Sequence, residues 1–210
     1  MKILVVAATA MEIAPFIAQQ NNVEVLITGV GAPACMYKLT QHLLTQQYNM
    51  VIQAGIAGTF KNSIALGDTV LVKNDVFADL GIYERDQFFT LFEKGFIAAD
   101  EQPYKNGWLH NHYNIDVNLP WVNAITVNTV SDQITQTNLF LKKFDADIET
   151  MEGAAFHYVC LQQQIPFLQL RSISNYVGER VKTNWKIKES ITSLNHHLQQ
   201  IITQLQSTPL

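Results

Sequence analysis

The chain reads as an α/β protein in which helices cover a parallel-rich sheet. Two observations carry this: apolar runs of strand length alternate with segments of helical period, and one late segment has the largely apolar character that suits a strand buried on both faces. The 210 residues, 48% hydrophobic and 15% charged, suffice for a sizeable core and are read as a single domain over 1–210.

Taken in order, Lys2–Ala8 predicts a strand, Ala10–Gln19 a helix, Val23–Thr28 a strand and Ala32–Gln47 a helix. Strands Met50–Ala54 and Gly67–Phe77 follow. Asp79–Pro120 is rich in Asn, Gly, Pro and aromatic residues and has no sustained period. It is too long for a plain connector, so it is expected to shape a pocket or an oligomer contact. Ala124–Val130 resumes as a strand, with helices over Ile134–Phe144 and Glu152–Gln163 and the largely apolar strand Phe167–Ser174. Ile187, Ile191, Leu194, Leu198, Ile201 and Leu205 then recur along one helical face, which marks a packing helix.

Composition removes several classes of function. Eighteen acidic against fourteen basic residues give a net charge of -4 with no Lys/Arg stripe, so a nucleic-acid surface is not expected. The longest apolar run, Ile3 to Met11, is about half a membrane span and lacks a cleavage pattern, which points to a cytoplasmic protein with no membrane partner. Cys35 and Cys160 stand apart as reduced core residues, and His110/His112 and His196/His197 are spaced wrongly for a shared helical face. No metal site is expected.

In open α/β sheets ligands bind beyond the carboxyl ends of the strands. Four clusters fall there. In Ala8-Thr9-Ala10-Met11-Glu12, Thr9 and Glu12 have capping-box spacing at a helix start, and Glu12 could equally serve as a general base. Gly29-Val30-Gly31-Ala32-Pro33-Ala34 resembles a dinucleotide fingerprint but lacks the acidic residue some 20 positions on; a tight turn with Pro33 opening a helix accounts for it better. Gly55-Ile56-Ala57-Gly58-Thr59-Phe60 either makes a turn or lets a flat ligand approach the backbone. In Glu149-Thr150-Met151-Glu152-Gly153, Glu152 opens a helix, and Asn175 ends the strand that follows it.

The segments AMEI (10–13), GIAGTF (55–60), LGDTV (66–70), ETMEGAAFHYVC (149–160) and RSISN (171–175) resemble the nucleoside phosphorylase and nucleosidase superfamily over nearly the whole chain. FADLG at 77–81 and ISNYVGER at 173–180 look most like its futalosine hydrolase branch, the nucleosidases of menaquinone synthesis. The resemblance implies a three-layer αβα sandwich around a central mixed sheet, cleavage of N-ribosidic bonds without cofactor, and a homodimer or higher homo-oligomer. It gives Glu12 the activation of water, Glu152 the ribose hydroxyls and Met151 a place beneath the sugar. Ser174 is matched too, while Asn175 stands where similar adenine-specific enzymes carry aspartate.

An amide can donate to a 6-oxo group and accept from a protonated N7, so Asn175 argues for hypoxanthine or guanine over adenine. Ile56, Phe60 and Arg180 complete the expected substrate site; Phe60 joins Phe77, Tyr83, Phe88 and Phe89 as an aromatic lining, and Arg180 would pair with a carboxylate on the 5′ substituent. No arginine lies near the Gly29–Ala34 turn to collect phosphate, so water is the expected nucleophile. The expected reaction is hydrolysis of futalosine to hypoxanthine and the dehypoxanthine product. The alternatives are a methylthioadenosine/S-adenosylhomocysteine or aminofutalosine nucleosidase and a 6-oxopurine phosphorylase.

Overall fold

A computed structural model describes residues 1–19, 22–130 and 132–207. Its elements are β1 (Ile3–Ala7), α1 (Ala14–Ala18), β2 (Glu24–Ile27), α2 (Ala32–Leu43), β3 (Met50–Thr59), β4 (Thr69–Asp75), β5 (Gly81–Glu84), β6 (Gln87–Thr90), β7 (Leu109–His110), β8 (Trp121–Thr126), α3 (Ile134–Phe144), β9 (Ile148–Thr150), α4 (Gly153–Gln162), β10 (Phe167–Tyr176) and α5 (Ile187–Ser207). The central sheet runs β10-β4-β8-β9-β3-β1-β2, and β10 also pairs with β3, which closes five of its strands into a ring. Parallel pairings dominate, with β9 antiparallel to β3 and β4 antiparallel to β10. The sheet is therefore mixed, and helices cover both faces. Under α1 and α5 lie Ile13, Phe16, Leu194, Leu198 and Ile201; under α2 and α4 lie Cys35, Leu39, Phe156 and Cys160. Both cysteines are free and buried.

Several expected boundaries move for identifiable reasons. The first helix begins at Ala14, not Ala10, because Pro15 has no amide hydrogen and is tolerated only in a first turn. Strand β3 runs through Gly55–Thr59 to ten residues, so those glycines are strand residues and not a turn. The 79–120 stretch contains a hairpin, β5-β6, turned by Arg85 and Asp86 at positive φ, and the short β7 on the edge of β4. Strand β9 is only three residues long, below what periodicity can reveal.

One irregularity places the site. Along one edge of β3, β1 pairs up to Gln53, and β9 takes over at Gly58. Between them that edge has no strand partner, and its backbone groups are open to a ligand or a side chain. This is the crevice at a change of strand partner where α/β sheets bind ligands.

The apolar stripe of α5 is the main cover of its face. Leu198→Ala, which empties a fully buried position, should lower unfolding free energy by about 2–5 kcal/mol in urea titration. Gln200→Ala on the exposed face should change it by less than about 0.5 kcal/mol.

Candidate active site

A cavity of about 260 Å³ opens at this crevice, lined by Glu12, Ile56, Gly58, Glu149, Glu152 and Asn175, with Met151, Ser174 and Arg180 also on its wall. A roomier cavity of about 790 Å³ lies beside Tyr104, His112 and Phe167, where Asp100 is the one carboxylate. Chemistry, and not size, distinguishes the smaller one.

Glu12 sits in the turn between β1 and α1 and not in the first turn of the helix, which is where the sequence reading put it. It is 7% exposed, and its carboxylate is held from three sides. One oxygen accepts from the Thr9 amide at 3.0 Å and the Thr9 hydroxyl at 2.9 Å. The other accepts from the Ile56 amide at 3.1 Å, one of the β3 groups left free by the strand exchange. The capping-box pair thus forms, but Thr9 serves the carboxylate and no helix end. Asn195 of α5 fixes the same turn, donating to the Glu12 carbonyl at 2.8 Å and accepting from the Phe16 amide at 3.0 Å.

Glu152 caps α4 and is 5% exposed. Its carboxylate accepts from the Gly31 amide at 2.8 Å, and Arg171 Nη1 stands 4.0 Å from it. Gly31 presents that amide from a backbone at φ +93°, which a side chain would strain. Burial pushes the Glu152 carboxyl above its ordinary range, the Arg171 charge and the Gly31 amide pull it back, and the Glu12 charge raises it again. The two carboxylates therefore sense each other in one site. Below them Gly55 leaves room: a methyl there would collide with Arg171 and stand 3.0 Å from Glu12 Oε1.

Ser174 donates to the Asn175 side-chain oxygen at 2.8 Å, and the Asn175 amide nitrogen donates to the Tyr176 carbonyl at 2.9 Å. Asn175 follows a register shift in β10 and stands opposite Gly58, where a methyl would be 3.3 Å from its Nδ2. Arg180 lies over the Trp185 ring at 5.9 Å and close enough to Glu149 to pull its carboxyl downward.

Eight side chains were expected at the site, and seven line the cavity: Glu12, Ile56, Met151, Glu152, Ser174, Asn175 and Arg180. Phe60 does not. It packs against the cluster of Val76, Ile125 and Phe140, since the longer β3 carries it past the cavity. The other expected aromatics are elsewhere too: Phe77 packs toward the α2 and α4 side, and Tyr83, Phe88 and Phe89 form a groove with α3. No residue of 79–120 lines the cavity. Arg171, Gly31, Asn195 and Glu149 were missed as site residues. Arg171 lies in a strand that also carries Gln169, Ser172 and Ser174, Asn195 in a packing helix, and Gly31 acts through its backbone; a charge inside a largely apolar run is the one available signal.

Among the described residues no three His, Cys, Asp or Glu side chains are grouped to hold a metal ion, and no helix is long and apolar enough to cross a membrane.

The chain is 28% identical over 186 residues to futalosine hydrolase of Thermus thermophilus, covering 85% of this chain and 80% of that protein. It is 26% identical to the 5′-methylthioadenosine/S-adenosylhomocysteine nucleosidase of Haemophilus ducreyi, over 74% of this chain and 68% of that one. Its fold matches the native structure of futalosine hydrolase of Helicobacter pylori with a TM-score of 0.80 at 16% identity, covering 97% and 98% of the two chains. This likeness bears out the three-layer αβα architecture with a mixed central sheet. A model of the phosphorylase superfamily matches residues 6–207, and the chain belongs to that superfamily.

Proposed function

We propose that this protein hydrolyses the N-ribosidic bond of a 6-oxopurine nucleoside, and that the nucleoside is futalosine, cleaved to hypoxanthine and the dehypoxanthine product in menaquinone synthesis. The observation that carries the reading is the convergence of Glu12, Glu152 and Asn175 on one cavity, three residues from distant parts of the chain. Likeness to the Thermus thermophilus enzyme supports the choice of substrate.

The spacing suits a nucleoside. Strand β3 serves as a ruler: Glu12 is held at Ile56 and Asn175 stands at Gly58, so sugar and base subsites are separated by roughly 7 Å at 3.3 Å per residue. With the ribose between the carboxylates, Glu152 accepts from its hydroxyls and Met151 packs beneath it. Glu12 accepts a proton from water as the water oxygen bonds to C1′ and the bond from C1′ to the base breaks. Positive charge developing on the ribose is stabilised by the two carboxylates. The departing base carries the bonding electrons, and Asn175 holds its N7 and 6-oxo edge through hydrogen bonds from a neutral amide.

Water fits better than phosphate as the nucleophile. Arg171, the arginine between the carboxylates, is 1% exposed and bound to Gln53, so it is engaged within the sheet and does not line the cavity. Arg180 lines the cavity wall, close enough to Glu149 to act on its carboxyl. It is the cation on the wall that can pair with a carboxylate on the 5′ substituent. The reading also takes the enzyme to work in the cytoplasm as a homodimer or higher homo-oligomer, as the family resemblance implies.

Incubation with futalosine, inosine and methylthioadenosine, each with and without phosphate, should release hypoxanthine from futalosine at a phosphate-independent rate. Adenine as the main product, or a requirement for phosphate, would replace this reading with the nucleosidase or phosphorylase alternative. Glu12→Gln keeps the shape and removes the base, so kcat should fall by about 10²–10⁴-fold while substrate binding changes little. Asn175→Asp should lower hypoxanthine release and raise adenine release; base preference identical to the parent would place specificity elsewhere.

A further inference from the structure

Glu149 has no part in the mechanism above, yet it is a site residue by position. The register of the sheet puts Asn175, Gly58 and Glu149 in one row, with Asn175 opposite Gly58 on one side and Glu149 opposite it on the other. Side chains of directly paired residues project from the same face. Asn175 and Glu149 therefore flank a position that has no side chain. Two strand spacings separate their backbones by roughly 9–10 Å, about what a flat bicyclic base needs once side chains reach in from each side.

Glu149 is 9% exposed and lines the cavity, and among the described residues its carboxylate has no hydrogen bond and no ion pair, Arg180 acting on it only at longer range. A largely buried carboxylate whose oxygens face a cavity and no protein donor is an acceptor open to a donor from a ligand. Two charged groups act on it, Asp79 after β4 and Arg180 after β10: burial chiefly, and Asp79 with it, push its carboxyl up to about 7, and Arg180 opposes them. Asp79 itself is engaged by the Asn128 amide and side chain, at 2.6 and 3.1 Å, and so does not satisfy Glu149.

Building on the nucleosidase reading, we propose that Glu149 is a specificity-determining residue whose carboxylate accepts the N1–H of a 6-oxopurine while Asn175 engages the N7 and 6-oxo edge. Hypoxanthine and guanine carry a hydrogen at N1. Adenine presents a bare lone pair there, which an ionised carboxylate repels. The row thus checks two edges of the base, and the second check excludes adenine by an unfavourable contact as well as by a missing one. Because the ionised form is the acceptor, binding of the base weakens as pH falls through about 7 and Glu149 takes up a proton.

Calorimetric titration with free hypoxanthine and 1-methylhypoxanthine, from pH 5.5 to 8, tests this on the folded protein and on Glu149→Ala and Glu149→Gln. The parent should bind hypoxanthine roughly 10–100-fold more tightly than the N1-methyl base at pH 8, and lose that margin toward pH 5.5. Glu149→Ala should bring the ratio close to one, chiefly by weakening hypoxanthine. Glu149→Gln, whose side-chain oxygen still accepts, should keep part of the margin and lose its pH dependence. Thermal midpoints of both variants should stay close to the parent's, since Glu149 lines a cavity and makes no hydrogen bond to another described residue. An unchanged ratio and pH profile in Glu149→Ala would overturn the assignment while leaving the nucleosidase reading standing. A parent that binds adenine and ignores hypoxanthine would overturn both.

Discussion

A guanidinium at the centre of the sheet, that of Arg171, is the constraint around which the site is built. It is 1% exposed within strand β10, and taking such a charge out of water costs several kcal/mol unless it is compensated. Compensation comes from the Gln53 side-chain oxygen and from Glu152 at 4.0 Å, with Glu12 brought close across the space left by Gly55. The dependence runs both ways. Two carboxylates buried side by side would repel, and burial already pushes Glu152 toward its protonated form; the cation behind them favours the charged form.

The exchange of partners along β3 does a different job. A strand paired on both edges has no free amide to offer, whereas the interval between Gln53 and Gly58 lies between the reach of β1 and that of β9. The Ile56 amide is spent on Glu12, and the two glycines that bound the interval keep side-chain bulk away from the arginine on one side and the asparagine on the other. Position along this one strand thereby sets the order of chemistry along the cavity.

Much of this was legible in the residues. Alternating strand and helix patterns gave the layers, the 134–144 helix has the expected bounds, and the apolar face of α5 is buried as its spacing implies. Glu12, Glu152 and Asn175, which line one cavity, stand out in the sequence as carboxylates and an amide at strand ends, and the family resemblance singles them out again. Missed features share a physical cause: each depends on contacts between distant segments. Phe60 followed its strand beyond the cavity, the 79–120 aromatics packed on α3 and the sheet, and Glu149 became a cavity residue only through the pairing of a three-residue strand. Local pattern carries no information about such pairing. Nor could it show that a glycine-rich turn resembling a nucleotide fingerprint would spend an amide on a glutamate of its own chain.

Asn195 bridges the turn that bears Glu12 across 183 positions of sequence. Translation delivers that turn among the first segments and its clasp among much later ones, so for most of its synthesis a nascent chain holds the glutamate without the amide that seats it. The corner is completed only when α5 docks, so its final geometry reports that the sheet, both helical layers and their closure are already in place. A ribosome-bound fragment halted short of residue 195 would carry the glutamate but lack this bridge.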